Sequence, residues 1–382
     1  MAAYGRIKKV FPGSNTAEGF YSFYNYIIPP DADRIFIIKG GPGVGKSTFM
    51  RSIADRLVER GFDVEFHCCS SDNGSLDGIV IPKLGAAIID GTAPHTLDPQ
   101  LPGAVGEIVY FGDYWDRNKI RVHKTELETL NKEVGRTFTR AYRFLKAAQI
   151  IYRDWEEANI EGMNFGWANQ QAAVIIDRVF GAEPVSERLG YDRHLFARAI
   201  TPDGMVDHLD TIIGPCRHKY IIAGQPGTGK SALIAKVGQA ALERGYNVEL
   251  YHCPLNPSKV EQMVIPELDV ALTKSIEPHL YSAGVGDIVV NMDEALDPAV
   301  AEKHADIIAE NKETFFHLFN RAISFIGAAK DIHHQMEQYY APYMDFDALA
   351  GLRQQILAQI LALAQSGVGD QGMETVPNRR KL

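Results

Sequence analysis

Gly40-Gly41-Pro42-Gly43-Val44-Gly45-Lys46-Ser47-Thr48 and Gly224-Gln225-Pro226-Gly227-Thr228-Gly229-Lys230-Ser231-Ala232 decide the reading of this chain. Both meet the pattern G-x-x-x-x-G-K-[ST] in full. An apolar, β-branched run precedes each, and a helical pattern follows. Glycines permit positive φ, so successive N–H groups can converge into an anion nest. The helix behind adds the positive end of its dipole. The expected ligand is therefore the phosphate chain of a nucleotide. Lys46 and Lys230 would reach the β- and γ-phosphates, and Ser47 and Ser231 would ligate Mg²⁺.

The two stretches belong to an internal repeat. Residues 40–95 slide over 224–279 without a gap, and 19 of 56 positions are identical. Among them are Glu59-Arg60-Gly61 with Glu243-Arg244-Gly245, and Val80-Ile81-Pro82 with Val264-Ile265-Pro266. Thr16, Gly19, Arg140, Met163 and Phe165 also find partners in Thr201, Gly204, Arg321, Met344 and Phe346. The repeat predicts a first domain over 1–181, a linker over 182–192, a second domain over 193–365 and a flexible tail over 366–382. Within the first copy, Arg34–Lys39, Val64–Cys68, Ala86–Ile89 and Glu107–Phe111 read as strands, and Ser47–Glu59 as a helix closed by Gly61. Strands alternating with helices predict an α/β fold with doubly wound, mostly parallel sheets. Phe138, Tyr142, Leu145, Ala148, Tyr152 and Trp155 then recur at helical spacing, as do Phe319, Ile323, Ile326, Ala329, His333 and Met336. Each core is thus followed by a helical segment.

The copies differ where the chemistry would be. Ala86-Ala87-Ile88-Ile89-Asp90 has the form of an apolar strand ending in the acid that holds Mg²⁺ through water. The competing reading of Asp90 is a turn aspartate capping Gly91-Thr92. The aligned residue of the second copy is Lys274, which removes that acid, and Glu277 is the nearest substitute. Thr48 becomes Ala232, losing a hydroxyl. An active first site and a modified second site are expected.

Other candidates carry a bland alternative each. His95 and His279 follow the third strand and would sense the γ-phosphate or orient water, or simply bond backbone in a loop. Asp72 and Asp77 stand in a carboxylate-rich stretch read as a loop, which would hold a base or an acceptor, or merely turn. Asp113 and Asp293 end the fourth strand as water-positioning acids or helix caps. Arg140 and Arg321 would be arginine fingers, or solvated helix residues. His67, Cys68, Cys69, His252 and Cys253 cluster at strand ends, but their spacing fits no common zinc motif.

Composition narrows the partners. The chain carries a net charge of −9, which argues against polyanions such as nucleic acid or an anionic membrane. It has no apolar run of spanning length and no apolar core after Lys8 and Lys9, so neither a membrane span nor a signal peptide is expected. Four cysteines in 382 residues, with no CxxC pair, do not suggest a disulfide framework. A cytoplasmic location fits this usage.

The run Gly40–Ser47, then Cys69-Ser70-Ser71-Asp72, Ser75-Leu76-Asp77-Gly78, Ile81-Pro82 and Asp90-Gly91-Thr92-Ala93-Pro94-His95, resembles a family of bacterial tandem P-loop ATPases without an assigned substrate. The resemblance covers nearly the whole chain. It implies P-loop NTPase domains and ATP as the nucleotide; no N-K-x-D guanine reader is present. The leading expectation is a Mg²⁺-dependent ATPase. One alternative is a kinase that phosphorylates a nucleotide or other small molecule, with the helical segment as lid. Another is a non-catalytic module regulated by bound ATP.

Overall fold

The computed structural model describes residues 4–29, 31–93, 96–276 and 280–365. The first copy opens with strands β1 (Ile7–Val10), β2 (Gly13–Thr16) and β3 (Gly19–Ser22). Next come β4 (Arg34–Lys39), helix α1 (Lys46–Val58), β5 (Val64–Cys68), β6 (Leu76–Ile81), β7 (Ala86–Asp90) and β8 (Gly106–Tyr110). A short α2 (Arg117–Arg121), the long α3 (Lys124–Ile160) and α4 (Phe165–Phe180) complete it. The second copy starts with β9 (Asp192–Leu195), β10 (Arg198–Thr201), β11 (Gly204–Asp207) and α5 (Leu209–Ile212). It continues with β12 (His218–Ala223), α6 (Lys230–Glu243), β13 (Val248–His252), β14 (Val260–Ile265), β15 (Val270–Ser275) and β16 (Ile288–Asn291). It ends with α7 (Pro298–Lys303), α8 (Ala305–Glu337) and α9 (Phe346–Gln365).

The fold is α/β with two mixed six-stranded sheets. The first has the order β1-β5-β6-β7-β4-β8; the second, β16-β12-β15-β14-β13-β9, is the same order from the other edge. β6 runs antiparallel to β5 and β7, and β14 runs antiparallel to β13 and β15. The remaining pairings in both sheets are parallel. This corrects the expectation of strands separated only by helices. All of Leu76–Ile81 is buried in β6, although its start reads as part of a polar turn. Asp77 therefore stands inside a strand, not on a loop. β1 and β9, at the sheet edges, are further strands that the sequence reading missed, and Asp192 of the expected linker already belongs to β9.

β4 sits between β7 and β8. Its Phe36, Ile37 and Ile38 are fully buried, as expected for a strand covered on both faces. α1 buries Phe49, Met50, Ile53, Ala54 and Leu57, a stripe at three- and four-residue spacing. Gly61, at φ +84°, ends that helical stretch in the left-handed region.

Two compact units divide the chain differently from the linear copies. Unit 1 combines residues up to Pro12, Phe23–Thr137 and the chain from Gly327; unit 2 combines Gly13–Ser22 and Phe138–Ile326. Each unit thus joins the sheet of one copy to the last helices of the other. In unit 1, α9 of the second copy packs on α1 of the first, and Trp115 bridges to Met344. In unit 2, α4 of the first copy packs on α6 of the second, and Met163 bridges to Leu296. The core of unit 2 shows the exchange directly: Ala172, Ile175 and Phe180 of α4 lie with Leu233, Ile234, Val237 and Ala241 of α6. A second cluster in this unit unites Ala141, Leu145 and Ala148 of α3 with Phe315, Phe319, Ala322 and Ile326 of α8.

Truncating a buried isoleucine costs about 2–5 kcal/mol. Ile175→Ala should lower stability by that order. The exchange predicts where the loosening appears: amide hydrogen exchange should rise in α6, with α1 unchanged. Loosening of α1 instead would mean that the helices pack on their own copy.

Candidate functional site

In unit 1 the first glycine loop leaves the C-terminal end of β4 and opens α1. Gly43 and Gly45 take φ +67° and +86°, which L side chains rarely adopt. Gly45 is the N-cap of α1 and no side chain caps that end. The first-turn N–H groups thereby have no side-chain acceptor at the N-cap. Val44 anchors the loop in the core, while Gly41, Pro42 and Gly43 are half-buried and Thr48 is exposed.

Lys46 folds back over this loop. Its Nζ donates to Gly41 O at 2.7 Å and stands 3.5 Å from Asp90 Oδ2. β7 pairs in parallel with β4, Ile38 opposite Asp90, so the carboxylate reaches the same sheet end as the loop. Asp90 Oδ1 also accepts the Thr92 N–H at 2.9 Å. The turn-cap reading of Asp90 is thus met by Oδ1, while Oδ2 faces Lys46. Ser47 Oγ accepts the Leu76 N–H at 2.9 Å, which leaves a second lone pair on the hydroxyl. Asp77 lies close enough to feel both Asp90 and Lys46. Burial, and next the Asp90 charge, push its carboxyl up to about 7, against hydrogen bonds from Tyr24 and Cys69. These carboxylate and hydroxyl oxygens are the hard donors that Mg²⁺ prefers.

The roof over this loop comes from the second copy. A Cβ on Gly41 would stand 2.7 Å from the Tyr340 ring, and one on Gly43 would stand 2.6 Å from Cβ of Glu337. Asp72 is held by Lys330 Nζ at 2.8 Å and by the Ser75 hydroxyl at 2.6 Å. Burial lowers the pKa of His333, with the Lys46 charge adding to it. Tyr340, Glu337, Lys330 and His333 are thus site neighbours that the sequence reading did not assign to the first loop. Their positions in the repeat carry no signal for it, because the helical stripe reads the same whichever core it covers.

Unit 2 repeats the geometry with different charges. Gly227 and Gly229 take φ +84° and +82°, and Gly229 caps α6 without a side-chain bond. Pro226 and Thr228 are buried, Gln225 and Ala232 exposed. Lys230 is only 5% exposed; it donates to Gly224 O at 2.7 Å, to Gln225 O, and to Thr228 Oγ1 at 3.2 Å. Burial pushes its ammonium down to about 7, and the Lys274 charge adds to that. Ser231 Oγ donates to Val260 O at 2.8 Å. From the first copy, Asn159 Nδ2 donates to Pro226 O at 2.8 Å, and Glu156 bonds Lys259 Nζ at 2.6 Å. A Cβ on Gly227 would run into the Glu156 backbone carbonyl.

Several other candidates are placed less centrally. Asp113, in a 3-10 turn after β8, is largely exposed and pairs with Arg117 at 3.7 Å. Its counterpart Asp293 instead accepts the Gln225 N–H at 2.7 Å. Arg140 and Arg321 are exposed, and Arg321 lies over Phe325 at 4.8 Å. His95, His279 and Glu277, with the tail over 366–382, lie outside the described residues. Burial raises the thiols of Cys68 and Cys253 to about 12, far from a reactive thiolate. Among the described residues, no group of three His, Cys, Asp or Glu side chains is arranged to hold a metal ion, and no helix is long and apolar enough to cross a membrane.

No family model, curated protein or solved structure matches the chain.

Asp77 gives this site a pH signature. Its folded-state pKa lies above the ordinary value, so between about 4 and 7 the folded state binds more protons than the unfolded one. Stability from this group is full below pH 4 and lost as pH rises through 7. Asp77→Asn should therefore melt higher than the unmutated chain at pH 8, by up to a few kcal/mol in stability, with the gap closing towards pH 4. Thermal melts across this range check it; a constant gap would contradict the assignment.

Proposed function

We propose that the chain is a Mg²⁺-dependent ATP-binding protein whose first glycine loop is the hydrolytic site and whose second loop is a modified nucleotide site. The observation that carries this reading is the Lys46–Asp90 pair at 3.5 Å, formed at the mouth of a loop with left-handed glycines and an uncapped helix end. Lysine, backbone N–H groups and helix dipole would together neutralise a triphosphate. Ser47 Oγ would ligate Mg²⁺ directly and Asp90 would hold it through water, as in a P-loop site. A metal held by these residues would supply positive charge to the phosphates.

Two further features support ATP in this place. Phe346 faces Gly45 and lines an open cleft of about 850 Å³ with Trp115, Tyr343 and Asp113, where aromatic rings could stack a base. Of the groups that motivated a kinase reading, Asp72 is already paired with Lys330 and Asp77 is buried in β6, so neither is presented to a second substrate.

Steady-state phosphate release from ATP tests the proposal. Lys46→Ala should reduce Mg²⁺-dependent turnover by at least a hundredfold, while Lys230→Ala leaves a measurable fraction. Equal loss from both would contradict a division of labour between the loops. Phosphate transfer to a metabolite pool without free phosphate release would replace hydrolysis by kinase chemistry.

A further inference from the structure

The second site keeps the glycine loop, its lysine and its serine, but its donor set does not suit a divalent cation. In register, Lys274 stands opposite Ile222 as Asp90 stands opposite Ile38. An ammonium thus occupies the strand position that bears the site carboxylate in unit 1. Lys274 is buried, with Nζ 3.7 Å from Glu261 Oε1. Glu261, the counterpart of Asp77, is shared with the buried Arg198 at 3.9 Å. Ser231 donates its proton to Val260 O and keeps its lone pairs, so the lost strand carboxylate, not the loop hydroxyl, is what separates the two sites.

Charge points the same way. Lys230 and Lys274 repel one another, which adds to burial in depressing the Lys230 ammonium, against the charges of Asp293, Glu156 and Glu261. An anion bound against both ammonium groups would relieve that repulsion.

We infer that the second glycine loop binds the phosphate chain of a nucleotide without a divalent cation, the Lys274 ammonium standing at the strand position of the carboxylate that would hold Mg²⁺ in unit 1. The inference rests on the glycine loops being nucleotide sites. An ammonium supplies positive charge but cannot coordinate β- and γ-oxygens as a metal does. The second site therefore retains its nucleotide rather than hydrolysing it, and chelators do not empty it.

Equilibrium dialysis with ATP tests this on the full chain carrying Lys46→Ala, which isolates the second site. Affinity should agree within about twofold between Mg²⁺ and EDTA. Adding Lys274→Arg should preserve the metal-free binding. Adding Lys274→Asp should weaken it at least tenfold in EDTA, with recovery in Mg²⁺; melting curves check that each variant is folded. Binding by Lys46→Ala that needs Mg²⁺, or no binding while the unmutated chain still takes up ATP, overturns the inference and leaves the first site standing. Absence of ATP binding by the unmutated chain overturns the nucleotide reading as well. Metal-free binding that neither Lys274 substitution alters would also overturn it.

Discussion

A buried ammonium beside a glycine loop must be balanced, and what balances it sets the character of each site. Lys46 stands 3.5 Å from Asp90, so unit 1 presents one positive and one negative charge at the sheet end, with a hydroxyl alongside. Lys230 feels a second ammonium, Lys274, and Asp293, Glu156 and Glu261 supply the compensation. The backbone of the two loops is nearly the same, down to the left-handed glycines. One residue at the end of one strand thus reverses the charge set beside the loop lysine. Dielectric screening is weak in such partly buried positions, which is why a single charge has this leverage.

Reciprocal exchange of the terminal helices adds a second constraint. The roof of each loop belongs to the other copy: Tyr340 and Glu337 over the first, Glu156 and Asn159 over the second. Glu156 and Glu337 hold equivalent places in the repeat, as do Asn159 and Tyr340. The same backbone plan therefore delivers an amide and a salt-bridged glutamate to one loop, and a phenol ring and a glutamate to the other. Neither copy can complete its site from its own sequence.

Much of the core was legible in the residues. Arg34–Lys39 and the helix after Gly45 were readable because a β-branched run and a helical stripe end abruptly at Gly40 and Gly61. Asp90 was readable because an acid closes an otherwise apolar strand. β6 was not, since Asp77-Gly78 interrupts its apolar pattern and a turn-rich stretch leads into it. The exchange was not, because hydrophobic periodicity states that a face is buried and not against which partner. Nor did the sequence distinguish Asp113 from Asp293, which align in the repeat yet turn to Arg117 in one unit and to the loop N–H in the other.

Titration calorimetry of the unmutated chain with a non-hydrolysable ATP analogue tests the central claim most directly. Two sites per chain should fill in Mg²⁺, and one of them should persist in EDTA. A single class of sites, all lost together on chelation, would contradict the assignment of distinct roles to Asp90 and Lys274.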